Sequence, residues 1–313
     1  MLALIARNQR LEMQAVPEPL PGRTDAVVQV AASSINRGEV RGIRAAPHWD
    51  LQGASNDTSW NPGWDFAGTV ERPAADGTGP GAGTRVVGWA RQGAWAERVA
   101  APVAQMVVIP ESVSFAEAAT LPIAGLTAWH ALRLGELASG KAVLVNGAAG
   151  GVGRFALQIA KAAGARAFAV VGSELRAQSI SHLTNDVFFS LPNEGVFDII
   201  LECVGGPTLA KSFSLIAPYG VVVSYGNSSD EQTCFHADAG YRKPCFRLQG
   251  LNLIGELARR AAPNEGLDEL VAMLAAGTLK CDIDLEVDWR DAVRACDALM
   301  ARQINGKAVL RIG

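Results

Sequence analysis

The sequence predicts an α/β protein: a doubly wound parallel sheet joined to a second domain made of short β-strands. Three observations carry this prediction. Residues 143–165 read as a buried strand, a glycine turn and a helix; strand and helix patterns then alternate to about residue 255; and the first 120 residues hold short strands separated by turns. The composition agrees, since 49% of the 313 residues are apolar and 19% are charged, which is typical of an ordered globular chain.

The charge balance excludes some classes of partner. A net charge of −3 at pH 7 leaves no basic surface of the kind that binds nucleic acid or an anionic membrane. The apolar start, Met1 to Ile5, is too short for a signal peptide or a membrane span. We therefore expect a cytoplasmic protein.

The cysteines are odd in number and late in the chain, which predicts reduced thiols and not a disulfide framework. They are Cys203, Cys234, Cys245, Cys281 and Cys296. Cys234, His236 and Cys245 together offer three zinc ligands, but a structural zinc site usually takes four, and no fourth is evident. The pattern therefore disfavours zinc there.

Elements before residue 135 are read from alternation and turn residues. Strands are expected at 26–32, 66–71, 84–89 and 94–100. Many short strands with glycine and proline between them indicate a compact, barrel-like β domain. Ser114 is the expected N-cap of a helix, with Glu117 at the reciprocal position, and a further helix is expected at 124–134.

The glycine turn is the main functional motif. Val143, Leu144 and Val145 suit a strand covered on both faces, and the turn follows the dinucleotide fingerprint with alanine in place of its first glycine: Ala148-x-Gly150-x-x-Gly153. Amides at the start of the following helix favour a pyrophosphate. An ordinary glycine turn is the alternative, but a strand before it and a helix after it favour nucleotide binding. The predicted cofactor contacts here are Ala149, Gly150, Gly151 and Val152.

The rest of the chain continues the alternation and then returns. Strands are expected at 167–171, 187–189, 197–202, 220–225 and 251–255, helices at 264–276 and 293–302, and a closing strand at 308–312. The closing segment is expected to rejoin the first domain. The predicted domains are 121–256 for nucleotide binding and 1–120 with 257–313 for the discontinuous β domain.

Residues after the second strand of the nucleotide domain indicate which cofactor binds. Ser173 can donate to a 2′-phosphate, and Arg176 can pair with it through two donors, which favours NADPH. Glu174 supports the alternative, NADH, because a carboxylate aimed at the ribose would repel a phosphate. We interpret Glu174 as a solvated residue in the first turn of a helix.

Several motifs in this order resemble the zinc-independent quinone oxidoreductase branch, including zeta-crystallin-like enzymes, of the medium-chain dehydrogenase/reductase superfamily. The matching stretches are 31–39 (AASSINRGE), 62–68 (PGWDFAG), 121–130 (LPIAGLTAWH), the fingerprint, 201–206 (LECVGG), 224–228 (SYGNS) and 306–310 (GKAVL). The resemblance implies a GroES-like β-barrel domain plus a Rossmann domain, with NADPH bound between them. It also implies a homodimer through the sixth strand, for which 248–257 would be the edge.

The resemblance also bears on zinc. Zinc-dependent relatives carry a cysteine near the position of Asn36 and a Gly-His-Glu motif where this chain has Gly63-Trp64-Asp65. Without that cysteine and histidine, a lone carboxylate is a poor zinc site. We therefore expect no metal in the reaction.

By resemblance, Asn36 and Thr127 flank the nicotinamide and are the predicted catalytic residues. Further predicted cofactor contacts are Cys203, Val204, Gly226, Asn227, Asn305 and Lys307. Plainer alternatives remain: Asn36 as a turn residue, Thr127 as a helix-packing hydroxyl and Cys203 as a small buried apolar residue.

The expected reaction is hydride transfer from NADPH to a quinone or an α,β-unsaturated carbonyl, with Asn36 donating to the carbonyl oxygen. Relatives often carry a tyrosine where this chain has Arg41; Tyr241 could replace it, or Arg41 could attract an anionic substrate. The segment 173–197 is too short for the usual extra helix, which puts the adenine contact in doubt. Alternative functions are a non-catalytic NADPH-binding sensor, a crystallin-like structural protein and a zinc-free reductase of saturated carbonyls.

Overall fold

The computed structural model describes residues 1–45, 59–238, 245–260 and 262–313. The strands within these residues are β1 (Leu2–Arg7), β2 (Arg10–Ala15), β3 (Asp25–Ile35), β4 (Asp65–Arg72), β5 (Arg85–Trp89), β6 (Arg98–Pro102), β7 (Met106–Val108), β8 (Ala142–Asn146), β9 (Arg166–Val170), β10 (Val187–Phe188), β11 (Phe197–Glu202), β12 (Ile216–Ser224), β13 (Arg247–Gly250), β14 (Ile283–Asp288) and β15 (Lys307–Arg311).

The α-helices of the same residues are α1 (Arg37–Ala45), α2 (Phe115–Ala119), α3 (Leu126–Leu134), α4 (Gly151–Ala162), α5 (Glu174–Ser179), α6 (Gly206–Leu215), α7 (Leu253–Leu257), α8 (Leu267–Ala275) and α9 (Ala292–Met300). A π-helical turn, Leu121–Gly125, precedes α3. Ser114 caps α2: its hydroxyl accepts from the Glu117 amide while the Glu117 carboxylate accepts from the Ser114 amide. The predicted capping box is confirmed.

The chain divides into two compact units. The first comprises Met1–Ile123, Leu257–Gly277 and Cys281–Gly313, and the second comprises Ala124–Glu256 and Thr278–Lys280. In the first unit, a sheet of the described residues has the strand order β14-β15-β3-β4-β5-β7, with β6 also paired to β3. The last strand of the chain, β15, pairs antiparallel with β3, so the C-terminal segment completes a sheet begun near the N-terminus.

The second unit holds the parallel sheet. Its strand order is β10-β9-β8-β11-β12-β13, and every neighbouring pair is parallel. The order reverses between β8 and β11, and ligands of open α/β sheets bind beyond the carboxyl ends of the strands at such a point. The core beside these strands includes Leu144, Ile200, Phe213 and Val222, all 2% exposed or less.

The predicted sixth strand, 251–255, is wrong. The strand lies earlier, at Arg247–Gly250, and Leu253–Leu257 is a helix. The Asn252 carboxamide accepts from the Gly255 amide (3.1 Å), and the Asn252 carbonyl accepts from the Glu256 amide (2.9 Å). A short apolar run does not separate strand from helix by periodicity, and here the asparagine side chain favours the helix. The fourth predicted strand of the first domain, 94–100, also begins later, at Arg98.

Candidate functional site

The turn after β8 combines two glycine requirements. Gly147 has a φ of +69°, a conformation that favours glycine, and a Cβ on Gly153 would lie 2.6 Å from both the Ala148 Cα and the Gly147 carbonyl oxygen. A Cβ on Gly150, by contrast, would come no closer than 3.4 Å to the same oxygen. The packing therefore demands glycine at two of these positions and leaves space beside the third.

The start of α4 leaves N–H groups for a ligand. Gly150 is the N-cap and makes no side-chain capping bond, so the first-turn amides of this twelve-residue helix have no cap within the described residues. The helix dipole adds partial positive charge at the same place. Ala149, Gly150, Gly151 and Val152, predicted to hold a pyrophosphate, lie at this turn.

Glu202, at the end of β11, connects two of the predicted cofactor segments. It is buried, and its carboxylate accepts from the Asn146 side chain (2.9 Å) and from the amides of Val204 (2.8 Å) and Gly205 (2.9 Å). Burial raises its pKa, and these three donors oppose the rise. Glu202 thus holds the Cys203–Val204 corner against the end of β8. The sequence places Glu202 in the motif at 201–206 but predicts no role for it.

The end of β12 joins the same group of loops. The Ser228 amide donates to the Cys203 carbonyl (3.0 Å), and a Cβ on Gly226 would lie 3.0 Å from that oxygen. The side-chain oxygen of Asn227 lies close to Gly205, 2.2 Å from the position of a Cβ there. The structure therefore brings together Cys203, Val204, Gly226 and Asn227.

The two predicted phosphate-binding residues follow β9, Ser173 at the start of α5 and Arg176 within it. Ser173 is the N-cap of α5 and accepts from the Arg176 amide at 3.4 Å. A Cβ on Gly172 would meet nothing within 4 Å, so the chain is open beside this loop. Glu174 lies in the first turn of α5 and is exposed, as expected for a solvated residue.

The first unit contains a buried charged cluster around Asn36. The Asn36 Nδ2 donates to Glu39 (3.0 Å) and to Asp65 (2.7 Å), and its Oδ1 accepts from the Lys307 ammonium (2.7 Å). Glu39 and Asp65 are fully buried and Lys307 is 4% exposed. Asn36 and Lys307, predicted separately from distant motifs, are therefore in direct contact.

Backbone and hydroxyl donors complete this cluster. Glu39 accepts from the amides of Asn36 (2.8 Å) and Trp64 (2.7 Å), while Asp65 accepts from the Ser34 hydroxyl and from the Ile123 amide (2.7 Å). Sequence reasoning missed Glu39 as part of the site. The only available signal was an acidic residue three positions after Asn36, which equally suits the first turn of α1.

Burial displaces the pKa values of the cluster. Burial, reinforced by the nearby Asp65 charge, raises the pKa of Glu39 from 4.5 to about 8. The pKa of Asp65 is also raised by burial, although Lys307 opposes the rise. Burial lowers the pKa of Lys307, against the pull of both carboxylates. A proton kept by Glu39 at pH 7, below its raised pKa, would reduce the negative charge of the cluster.

The remaining predicted site residues lie on other segments of the two units. Thr127 lies on α3 in the second unit and is 7% exposed. Asn305 lies in the first unit, two residues before Lys307, and its amide donates to Asp284 (2.8 Å). Tyr241 falls outside the described residues, and Arg41 lies on α1.

Two family models match the chain. Residues 22–111 match the alcohol dehydrogenase GroES-like domain, and residues 175–310 match a zinc-binding dehydrogenase. A quinone oxidoreductase of Pseudomonas aeruginosa is 29% identical over 263 residues, which cover 79% of this chain and 81% of that protein.

Solved structures agree. A Pseudomonas syringae quinone oxidoreductase is 28% identical, with a TM-score of 0.86 over 99% of this chain and all of the other. The Escherichia coli quinone oxidoreductase complexed with NADPH shares the fold, with 24% identity and a TM-score of 0.87 over 99% of this chain and all of the other. The chain belongs to the medium-chain dehydrogenase/reductase superfamily, in its quinone oxidoreductase branch. The predicted family and fold class are confirmed.

Some relatives of this superfamily member are much longer. The synaptic vesicle membrane protein VAT-1 homolog of Mus musculus is 33% identical over 69% of this chain. The matched region spans 55% of the length of the mouse protein. A Mycobacterium tuberculosis polyketide synthase matches 97% of this chain at 29% identity, and the chain spans 15% of it. Across the ranges that the structure describes, no helix is long and apolar enough to cross a membrane.

The cysteines of this dehydrogenase/reductase form no disulfide, and all five lie in the described ranges. Cys234, His236 and Cys245, weighed above as zinc ligands, form no metal-binding group among the described residues. The Trp64 ring, which by the resemblance stands where zinc-dependent relatives carry the histidine of Gly-His-Glu, packs over Gly38, where a Cβ would lie 2.9 Å from the indole.

Proposed function

We propose that this chain is an NADPH-dependent oxidoreductase that transfers hydride to a quinone or an α,β-unsaturated carbonyl without zinc. The observation that carries the proposal is the convergence of the β8, β11 and β12 ends on one uncapped helix N-terminus, with Ser173 and Arg176 at the end of the neighbouring strand β9. The solved relative complexed with NADPH supports the choice of cofactor.

The bound cofactor would supply a hydride, and the chain's own residues would bind and orient it. The first-turn amides of α4 suit the pyrophosphate, and Ser173 and Arg176 suit a 2′-phosphate. Cys203, Val204, Gly226 and Asn227 would lie along it, with Asn36, Thr127, Asn305 and Lys307 nearer the reacting end.

Asn36 requires a revised role. Both hydrogens of its side-chain nitrogen are already donated, to Glu39 and Asp65, so this arrangement leaves no N–H for a substrate carbonyl. We propose that Asn36 positions Lys307, whose ammonium has three donors and, among the described residues, gives two of them to Asn36 and to the Ile35 carbonyl (3.2 Å). Lys307 is then the cation that this unit offers to negative charge developing on an acceptor.

The donor set supports a reaction without zinc. Around Asn36 the chain offers carboxylates that already accept N–H and O–H groups, together with a lysine ammonium and a tryptophan where relatives place histidine. Zinc prefers thiolate and imidazole ligands, and an ammonium repels it. Turnover should therefore be unchanged by a chelator and by added zinc.

The decisive experiment is NADPH consumption with 1,4-benzoquinone and with an enone, in the wild type and in Arg176→Ala. We expect turnover with at least one acceptor, and a higher apparent KM for NADPH in the variant because the 2′-phosphate loses a bidentate partner. If the chain binds NADPH tightly but reduces none of the acceptors, the reductase proposal is wrong, and a sensor or a structural protein becomes the favoured function. Reduction of saturated ketones alone would indicate a carbonyl reductase.

The predicted homodimer is a separate proposal, and light scattering of the purified chain tests it.

A further inference from the structure

Arg154 is a buried cation beside the proposed nucleotide site, and no role was predicted for it. It lies on α4, one residue after Gly153, and is 4% exposed. A guanidinium is charged at all pH values that proteins experience, so its burial costs free energy unless its N–H groups are bonded. Its bonding partners therefore indicate what it does.

Two partners of Arg154 belong to different parts of the proposed site. Its Nε donates to the Ala149 carbonyl (3.1 Å), in the turn proposed for the pyrophosphate, and its Nη2 donates to the Ser179 hydroxyl (2.7 Å) at the end of α5. The Ser179 hydroxyl in turn donates to the Arg176 carbonyl (2.8 Å). One side chain thus links the pyrophosphate turn to the residue proposed for the 2′-phosphate.

The helix α5 needs such an anchor. It has six residues, none of them buried, and its capping bond from the Arg176 amide to Ser173 is long, at 3.4 Å. An isolated helix of this length is not stable in water, and a bond at that distance contributes little. The buried Ile180 fixes the residue after the helix, and the Arg154–Ser179 hydrogen bond links the end of α5 to the helix that starts at the glycine turn.

We propose that Arg154 is a positioning residue that holds α5 against the glycine turn and so sets the preference for NADPH over NADH. This inference rests on the proposed function. The pyrophosphate turn serves both cofactors, whereas the 2′-phosphate contact serves NADPH only. Loss of the Ser179 connection should therefore affect NADPH alone, and loss of Arg154 should affect both cofactors, NADPH more.

The test is direct titration of the reduced cofactors, followed by nicotinamide fluorescence, with no acceptor present. Ser179→Ala should weaken NADPH binding about tenfold and leave NADH binding unchanged. Arg154→Met should weaken both, and Arg154→Lys, which keeps the charge but loses the two-sided fork, should fall between it and the wild type. Ser181→Ala is the matched control, because the Ser181 hydroxyl also donates to a carbonyl three residues earlier (Gln178, 2.9 Å).

A double-mutant cycle tests whether Ser179 acts on NADPH binding through Arg176. In an Arg176→Ala background, Ser179→Ala should change NADPH affinity by less than about twofold, because its effect passes through Arg176. The inference would be overturned if Ser179→Ala weakened NADPH and NADH binding equally. It would also be overturned if the effects of Ser179→Ala and Arg176→Ala on NADPH affinity were fully additive. The proposed function fails separately, if the wild type binds neither cofactor. Ser179→Ala removes only a hydroxyl, so it keeps the test valid if Arg154→Met does not fold.

Discussion

The glycine turn after β8 and the charged cluster around Asn36 bring polar groups together by opposite physical means. In the turn the polar groups are backbone amides, and the positive φ of Gly147 and the close packing at Gly153 set the backbone conformation that brings them together. The cluster does so with side chains from α1, β3, β4 and β15, buried at the cost of displaced pKa values. A site built from backbone can therefore be recognised in one short stretch of sequence, whereas a site built from side chains depends on distant segments meeting.

The largest expected effect is on the cluster. Lys307→Met would leave Glu39 and Asp65 buried without their cation, which should lower the free energy of unfolding by about 3–5 kcal/mol. Urea unfolding at pH 7.5 measures this, and Lys161→Met, at an exposed position of α4, is the control. A loss no greater than the control's would mean that the cluster does not depend on Lys307.

The pH dependence of stability is the next test of the cluster. Because the folded-state pKa of Glu39 is raised from 4.5 to about 8, the folded state keeps a proton that the unfolded state releases. The stability due to this group is complete below about pH 4.5 and is lost as the pH rises towards 8. Glu39→Gln should reduce the difference in unfolding free energy between pH 5 and pH 8 by about 2–3 kcal/mol. An unchanged slope would show that Glu39 titrates normally.

Substitutions in the glycine turn should change stability through steric fit, and this change should not depend on pH. In Gly153→Ala, the new Cβ meets backbone atoms at 2.6 Å, and the strain should exceed the gain in helix propensity, for a net loss of about 1–2 kcal/mol. Gly150→Ala has space and should change stability by only a few tenths of a kcal/mol, yet weaken NADPH binding by crowding the ligand. Thermal unfolding and cofactor titration of both variants separate packing from binding, and equal stability losses would contradict this.

The smallest expected effect lies outside both regions. Ser114→Ala removes the capping box of α2 and should cost about 1 kcal/mol without changing NADPH affinity. Chemical denaturation measures the loss, with Ser181→Ala as the control, an exposed serine that is not the N-cap of a described helix. A change in cofactor affinity would show that α2 communicates with the nucleotide site.

Particular residues show which parts of the fold and of the candidate site can be predicted from the sequence. The sequence predicts the strand Phe197–Glu202 with its observed bounds, because a short run centred on three apolar residues and bounded by turns is a local signal. The helix Leu253–Leu257 was missed, because a side chain, Asn252, decides between two states that the apolar pattern fits equally. Arg154, Glu202 and Glu39 were overlooked because a charged residue in a helix or strand is usually exposed.

By itself, the sequence determined the alternating α/β order, the nucleotide turn and the capping box, since each depends on neighbours within a few residues. Only the tertiary structure decided that Asn36 contacts Lys307, 271 positions later, and that Arg154 joins the glycine turn to α5. The physical reason is that the pairing and burial of charged groups depend on which strands and helices meet. No periodicity in the chain records that choice.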